Sequence, residues 1–319
     1  IIFTVLLVTM FSHRSFAAGT AFSKTEVIQA AIFEALILGY IVSLQVGIAI
    51  VIGVVAVFLL SLAKSKLTLG NLRESLFTRQ TAIGLLVLRD QNLSPQRQLE
   101  LARAIGEPDI YPFLEGLDGF PEITSVLKRE DETVNFGGVW HTDTIYQDKP
   151  PMATMLQAVE LPPIGGDTLF ANQHLAWERL SDGLKQTLSG LRVICTAGKA
   201  KVAASRTARI AEKGKAVDAD ALQASHPVMR THPETGRKSL YASPGHAIRF
   251  DGWTEEESAG LLAHLFRHQI LPEFQCRLGW RVGDIAIWDN RCTLHYPLND
   301  YHGHRRLLHR ITLKGDRPV

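Results

Sequence analysis

The chain has 319 residues, 46% of them hydrophobic and 21% charged, and this composition excludes wholesale disorder. Its formal net charge of +2 provides no charge excess that would indicate a nucleic-acid partner. The three widely spaced cysteines, Cys195, Cys276 and Cys292, form neither a disulfide framework nor a zinc knuckle. The composition is that of an ordinary globular enzyme in a reducing compartment.

The first 66 residues are predicted as a hydrophobic segment that precedes a catalytic domain at residues 67–319. Residues 35–63 contain no charged side chain and, as a helix rising about 1.5 Å per residue, would cross about 30 Å of hydrocarbon. Four Lys and Arg residues follow, so the positive-inside rule places the catalytic domain in the cytoplasm, anchored to the inner face of the membrane. A signal segment, a pair of buried strands or an aberrant gene start would also explain this hydrophobic segment.

Beyond this segment, short strands and capped helices are predicted in alternation. Helices are expected where a capping residue precedes an apolar repeat, namely from Ser94-Pro95 to before Gly106, as a pair within 172–190, and from Thr254 with Glu257 to about Arg267. Strands are expected at residues 83–89, 168–170, 239–242, 284–288 and 307–313. The Ala- and Lys-rich stretch 196–225 is either a mobile lid over a site or a passive surface insertion.

The segment Trp140-His141-Thr142-Asp143 carries the first chemical signal. In an extended strand, residues i and i+2 point to the same face, so His141 and Asp143 can reach one metal ion. A second segment with potential metal ligands, residues 288–295, lies much later in the chain and ends at His295. Two imidazoles and one carboxylate leave three adjacent positions open on an octahedral Fe(II), as a co-substrate and O₂ require. Zinc is the competing metal, but its catalytic sites normally need only one open position.

Two arginines follow His295. If residues 307–313 form a strand, Arg306 and Arg310 lie on one face of it, where two buried cations are costly unless each meets an anion. Bidentate recognition of a carboxylate by a guanidinium would supply such a partner. A solvent-facing basic edge is the alternative, and the nearby His295 favours the buried interpretation.

Five separated motifs resemble the taurine dioxygenase and 2,4-dichlorophenoxyacetate dioxygenase family. They occur in order over residues 82–318, and they are His141-Thr142-Asp143, Gly165-Gly166-Asp167-Thr168-Leu169-Phe170, His226-Pro227 with Thr231-His232-Pro233, Trp288-Asp289-Asn290-Arg291 with His295, and Asp300-Tyr301 with Arg305-Arg306 and His309-Arg310. The resemblance implies an Fe(II)- and 2-oxoglutarate-dependent oxygenase on a mainly β fold with flanking helices (α+β), a double-stranded β-helix or jelly roll.

The resemblance also implies roles for individual residues. His141, Asp143 and His295 would bind iron. Arg306 would hold the distal carboxylate of 2-oxoglutarate with help from the Thr168 hydroxyl. Arg310 occupies the position at which family members hold the anionic group of the substrate.

The sequence departs from the pattern of family members that act on taurine. Tyr111 follows the Gly-Glu-Pro turn, Leu114 replaces a Tyr, and Gly137 replaces an Asn before the first iron-binding histidine. We therefore expect a larger or more apolar anion, such as an alkyl sulfate, an aryloxyalkanoate or another sulfonate. Tyr111 and His246 are the further candidates for contacts with this substrate.

The expected reaction is hydroxylation of the small organic anion by O₂, with release of succinate and CO₂ from 2-oxoglutarate. The alternatives are a zinc-dependent hydrolase or isomerase on a jelly roll, and a non-catalytic, membrane-tethered binding module. We also expect a homo-oligomer and no nucleic-acid partner.

Overall fold

A computed structural model describes residues 84–199, 217–219 and 221–319. The hydrophobic segment at 35–63, the predicted domain boundary and most of the stretch 196–225 lie outside the described residues. Within the described ranges, no helix combines the length and the apolar character that crossing a membrane would require.

Fourteen strands can be followed in the described residues. In chain order they are β1 (Leu85–Leu88), β2 (Pro108–Asp109), β3 (Thr124–Lys128), β4 (Ala153–Glu160), β5 (Thr168–Asn172), β6 (Arg192–Thr196), β7 (Gln223–Pro227), β8 (Met229–Thr231), β9 (Lys238–Leu240), β10 (Ala247–Phe250), β11 (Gln275–Leu278), β12 (Ile285–Asp289), β13 (Thr293–Pro297) and β14 (Arg306–Leu313).

The first and last of the four helices begin directly after the predicted capping residues Ser94 and Thr254. The helices are α1 (Pro95–Ile105), α2 (Gln173–Glu178), α3 (Asp182–Ser189) and α4 (Glu255–Gln269), with a 3₁₀ turn at Pro272–Phe274. The Ser94 side chain accepts a hydrogen bond from the backbone N–H of Arg97 at the start of α1. Thr254 and Glu257 form a reciprocal capping box at the start of α4. The helix predictions are confirmed, with α4 ending two residues later than expected.

Two antiparallel sheets face each other around the candidate site. The larger sheet has the order β1-β12-β4-β14-β2, with β3 also paired to β14, and the smaller has the order β11-β5-β13. The chain passes from one sheet to the other between β4 and β5 and again at each step from β11 to β14. This alternation is the jelly roll, and the predicted fold class is confirmed.

The apolar core between the two sheets lies directly behind the site. Phe170 of the smaller sheet and Trp288 of the larger are both buried, and their ring centroids are 5.3 Å apart. Leu156 and Leu308 belong to the same cluster. A separate sheet, β10-β6-β7, packs with α2 and α4 in a second core. The first core fixes the strands from which the site residues project.

Candidate active site

His141 and His295 are joined by their backbones. His295 lies in the middle of β13, and the single residue His141 bridges to it in antiparallel fashion. The His141 N–H donates to the His295 carbonyl at 3.0 Å, and the His295 N–H donates to the His141 carbonyl at 2.8 Å. The two ring centroids are consequently 4.1 Å apart, so the two parts of the sequence that carry the predicted ligands converge.

Asp143 reaches the histidines from a turn. The expectation of an extended strand through residues 141–143 was wrong, because the chain turns immediately after the His141 bridge, and Thr144 has a positive φ of 41°. Asp143 Oδ1 still lies 3.8 Å from His141 Nε2. One ligand atom from each of His141, Asp143 and His295 lies within 4.8 Å of the others, and all three residues are buried.

Hydrogen bonds determine which atoms of His141 face this cluster. His141 Nδ1 lies 2.7 Å from the carbonyl oxygen of Val139. Since a carbonyl can only accept, Nδ1 carries the proton and the lone pair remains on Nε2, the atom nearer Asp143. An N–H donated to a carbonyl on the far side of the ring is the usual arrangement of a metal-binding histidine.

A buried chain of hydrogen bonds fixes the Asp143 carboxylate. The Thr154 hydroxyl donates to Asp143 Oδ2 at 2.6 Å and accepts from Asn290 Nδ2 at 2.8 Å. The Asn290 side-chain oxygen in turn accepts from Trp288 Nε1 at 2.9 Å. With Oδ2 engaged in this way, Oδ1 is the oxygen that faces the histidines.

The pKa shifts favour a neutral imidazole beside an ionised carboxylate. Burial, with the neighbouring His141 acting in the same direction, lowers the pKa of His295 to about 3. Burial opposes ionisation of Asp143, but His295, Arg310 and the Thr154 hydrogen bond outweigh it and lower the pKa of that carboxyl to about 2. These are the protonation states that metal ligation needs.

Arg306 and Thr168 line a cavity that His141, Asp143 and His295 also line. Arg306 is 4% exposed, and within the described part of the chain its Nε and Nη2 atoms have no hydrogen-bond partner. The Thr168 hydroxyl accepts a 3.0 Å hydrogen bond from Trp280 Nε1, which leaves its own proton to be donated elsewhere. These donors suit a carboxylate.

Arg310 lines the same cavity closer to the metal-ligand cluster. Its Nη1 lies 3.6 Å from Asp143 Oδ1, and its Nη2 has no hydrogen-bond partner among the described residues. The Tyr111 ring centroid lies 4.2 Å from the guanidinium carbon and that of Phe136 lies 5.7 Å away. The predicted common face of Arg306 and Arg310 is confirmed, because both are buried on β14 and both line the cavity.

Tyr111 and His246 lie behind the cavity lining. Tyr111 contacts Arg310, as described, and is not among the described residues that line the cavity. The His246 ring centroid is 6.2 Å from that of His141, and its Nδ1 lies 3.1 Å from the Thr196 carbonyl oxygen. Direct substrate contact by either residue stays a prediction.

A second group of potential metal ligands is satisfied by internal pairing. His232, Asp289 and Cys292 offer three ligand atoms within 4.8 Å of one another. However, Asp289 Oδ2 already lies 2.9 Å from His232 Nε2 and 2.6 Å from Arg291 Nη2. Burial raises the pKa of the Cys292 thiol. This group is therefore a structural network, with the Asp289 carboxylate already paired.

Three residues around the cavity were missed by the sequence analysis. Thr154 lies in β4, Lys128 ends β3, and Trp280 lies between β11 and β12, and these segments contain none of the motifs. A local strand pattern predicts at most that Thr154 and Lys128 are buried, as they are. What they contact depends on the pairing of distant strands, which no local pattern reveals.

Comparison with known proteins gives the family. The sequence profile described as "Taurine catabolism dioxygenase TauD, TfdA family" matches residues 65–312. The chain belongs to this family. It is 31% identical to an alpha-ketoglutarate-dependent sulfate ester dioxygenase of Pseudomonas putida over 72% of this chain and 75% of that protein. It is 32% identical to an alpha-ketoglutarate-dependent 2,4-dichlorophenoxyacetate dioxygenase of a Burkholderia species over 73% and 82%.

A solved structure is similar over most of its length. The crystal structure of a taurine dioxygenase from Burkholderia xenovorans matches with a TM-score of 0.64 and 33% identity, covering 80% of this chain and 84% of that one. The matches confirm the predicted family and the predicted enzyme class, a 2-oxoglutarate-dependent dioxygenase.

Proposed function

We propose that the chain is an Fe(II)- and 2-oxoglutarate-dependent dioxygenase that hydroxylates a small organic anion, with a role in sulfur metabolism. One observation carries the proposal. Three metal-ligand atoms lie within 4.8 Å of one another in a cavity that also holds the incompletely partnered guanidinium groups of Arg306 and Arg310. A hydrolytic metal site would need the three metal ligands but not the two guanidinium groups.

His141, Asp143 and His295 are proposed to hold the metal. The donor set of two imidazoles and one carboxylate fits Fe(II) with open positions for a co-substrate and O₂. Support comes from the orientation of His141 Nε2 and from the Thr154 hydrogen bond that leaves Asp143 Oδ1 facing the cluster. When bound, the metal with 2-oxoglutarate and O₂ supplies the oxidising power that converts a substrate C–H to C–OH, giving succinate and CO₂.

Arg306 and Thr168 are proposed to bind the distal carboxylate of 2-oxoglutarate. A buried guanidinium with free N–H groups is energetically costly until an anion joins it. The planar fork of Arg306 suits both oxygens of a carboxylate. The Thr168 hydroxyl, which already accepts from Trp280, donates to the same group.

Arg310 is proposed to bind the anionic group of the substrate, with Tyr111, which lies against the guanidinium, and His246 as further substrate contacts. Arg310 lies near the metal ligands, so an anion held there places an adjacent carbon near the oxidant. The protein's main contribution is thus orientation, since it determines which C–H is closest. Alkyl sulfates, sulfonates and aryloxyalkanoates all present such a carbon next to the anion or its linking oxygen.

Succinate formation tests the proposal. The purified chain is incubated under air with 2-oxoglutarate and Fe(II), and taurine, medium-chain alkyl sulfates and aryloxyacetates are added one at a time. We expect succinate release to be stimulated by at least one of these anions and to depend on Fe(II). Absence of succinate with every anion would reject the proposal and leave the zinc-dependent hydrolase or isomerase and the non-catalytic binding module as the alternatives.

The remaining expectations belong to the same proposal. A homo-oligomer and a cytoplasmic catalytic domain, with or without membrane contact through residues 35–63, stay predictions.

A further inference from the structure

Lys128 occupies a position that the proposed function does not use. It is the last residue of β3 and lies directly opposite Arg306 in the antiparallel pairing of β3 with β14. Directly opposed residues in such a pair project from the same face of the sheet. Lys128 lines the cavity together with Arg306, and it is only 3% exposed.

The charge of Glu132 favours the Lys128 ammonium but provides it with no hydrogen bond. Its Nζ lies 4.3 Å from the centroid of the Tyr301 ring, and the Arg306 guanidinium carbon lies 5.9 Å from the same centroid. Among the described residues, Lys128 Nζ has no hydrogen-bond partner. The ammonium can donate three hydrogen bonds, and a ring face satisfies none of them fully.

Two neighbouring cations in one buried cavity repel each other, and like charges directly opposite on a sheet are destabilising. An anion placed between them removes both the repulsion and the unmet donors. A carboxylate has enough lone pairs to accept from a guanidinium, a hydroxyl and an ammonium together. The geometry therefore calls for an anion in this corner of the cavity.

We propose that Lys128 is a second cation of the 2-oxoglutarate site, donating a hydrogen bond from Nζ to the distal carboxylate beside Arg306. The inference rests on the proposed function, because it assigns a residue to the co-substrate named there. Lys128 makes the site selective for 2-oxo acids that carry a second carboxylate.

Two ligands separate this role from a structural one. 2-Oxovalerate has the same five-carbon chain as 2-oxoglutarate but lacks the distal carboxylate. The dissociation constants of both are measured by calorimetry on the Fe(II)-loaded protein without oxygen. The variants are Lys128→Met, which keeps the length of the side chain without its charge, and Lys128→Arg, which keeps the charge.

We expect Lys128→Met to weaken binding of 2-oxoglutarate by about tenfold to a hundredfold, the loss typical of a hydrogen bond between charged groups. Binding of 2-oxovalerate should change by less than about twofold. Lys128→Arg should recover most of the affinity for 2-oxoglutarate. The midpoint of thermal unfolding is measured for each variant to show that it is folded.

The outcomes distinguish the two claims. Wild-type protein that binds 2-oxoglutarate, with an unchanged affinity in Lys128→Met, overturns the role of Lys128 alone. Equal weakening for both ligands, or a Lys128→Met variant that does not fold, shows that the residue supports the structure and overturns the role as well. Wild-type protein that does not bind 2-oxoglutarate overturns the proposed function and this inference together.

Discussion

The Thr154 hydroxyl donates a 2.6 Å hydrogen bond to Asp143 Oδ2, and both residues are buried. Thr154 lies in β4 at the centre of the larger sheet, whereas Asp143 lies on the turn that follows the His141 bridge. The hydrogen bond therefore anchors a proposed metal ligand to the sheet. It occupies Asp143 Oδ2, so that Oδ1 is the oxygen left to bind the metal.

Thr154→Val should weaken metal binding without removing a ligand. The change preserves the shape of the side chain but deletes the donor, and loss of such a supporting hydrogen bond typically costs tenfold to a hundredfold in metal affinity, so we expect about tenfold or more. Titration of the metal-stripped protein with Fe(II) in the absence of oxygen measures the effect. Thr154→Ser, which keeps the hydroxyl, should bind nearly as well as the wild type. Equal affinities in all three proteins would show that Asp143 needs no such support.

Arg310→Ala should weaken substrate binding while 2-oxoglutarate is still consumed. Removing one partner of a buried charge pair costs about 2–5 kcal/mol, so the KM for the organic anion should rise at least about 30-fold. Succinate should still form slowly without hydroxylated product. Parallel measurement of succinate and product checks this, with Arg310→Lys as the charge-preserving control.

Because Arg310 Nη1 lies 3.6 Å from Asp143 Oδ1, the Arg310→Ala variant is also titrated with Fe(II). An unchanged KM would reject the role of Arg310 in substrate binding. A loss of metal affinity that accounts for the entire effect would assign Arg310 to the support of Asp143 instead.

Trp280→Phe should affect 2-oxoglutarate more than the organic anion. The change removes the indole N–H that donates to the Thr168 hydroxyl at 3.0 Å, and the hydroxyl is then free to rotate away from the co-substrate. We expect the KM for 2-oxoglutarate to rise several-fold, in line with the loss of a neutral hydrogen bond of about 1 kcal/mol, with kcat little changed. A rise confined to the KM of the organic anion would contradict this position for Thr168.

The stability of the fold should decrease as the pH falls from about 6.5, partly because of His226. This residue is 1% exposed, its Nε2 donates to the Ile145 carbonyl at 2.7 Å, and burial lowers its pKa to about 4. Between the unfolded pKa of about 6.5 and the folded pKa, only the unfolded chain takes up the proton. Stability from this group is thus complete above pH 6.5 and is lost as the pH falls toward 4.

His226→Gln should reduce this pH dependence, because Gln retains an N–H donor but does not titrate. The wild type should lose about 2 kcal/mol more than the variant between pH 7 and pH 5. Urea unfolding at the two pH values measures the difference. Identical losses in the two proteins would mean that His226 is already accessible to protons in the folded state.

Much of the fold was predictable because its signals are local. Ser94 and Thr254 precede apolar repeats and do cap α1 and α4. The alternation around Arg306 and Arg310 predicted a strand with both guanidinium groups on its buried face, and the structure confirms it. The family motifs then predicted the jelly roll as a whole.

The details of the site were less predictable because they depend on long-range pairing. His141 and Asp143 were assigned to one face of a strand, yet they converge on His295 through a backbone bridge and a turn. Lys128 and Thr154 belong to no motif. The role of Lys128 is visible only once β3 is paired with β14, and that of Thr154 only once the turn carrying Asp143 is placed beside β4. Local periodicity cannot encode such contacts.

The central claim is that His141, Asp143 and His295 hold the metal used for 2-oxoglutarate turnover. It is tested most directly by titrating the metal-stripped protein with Fe(II) while succinate formation is followed under air. In the wild type, activity should saturate at one Fe(II) per chain, and Ala in place of any one of the three should reduce it at least about a hundredfold. Succinate formation that persists at the wild-type rate in any of these variants would contradict the claim.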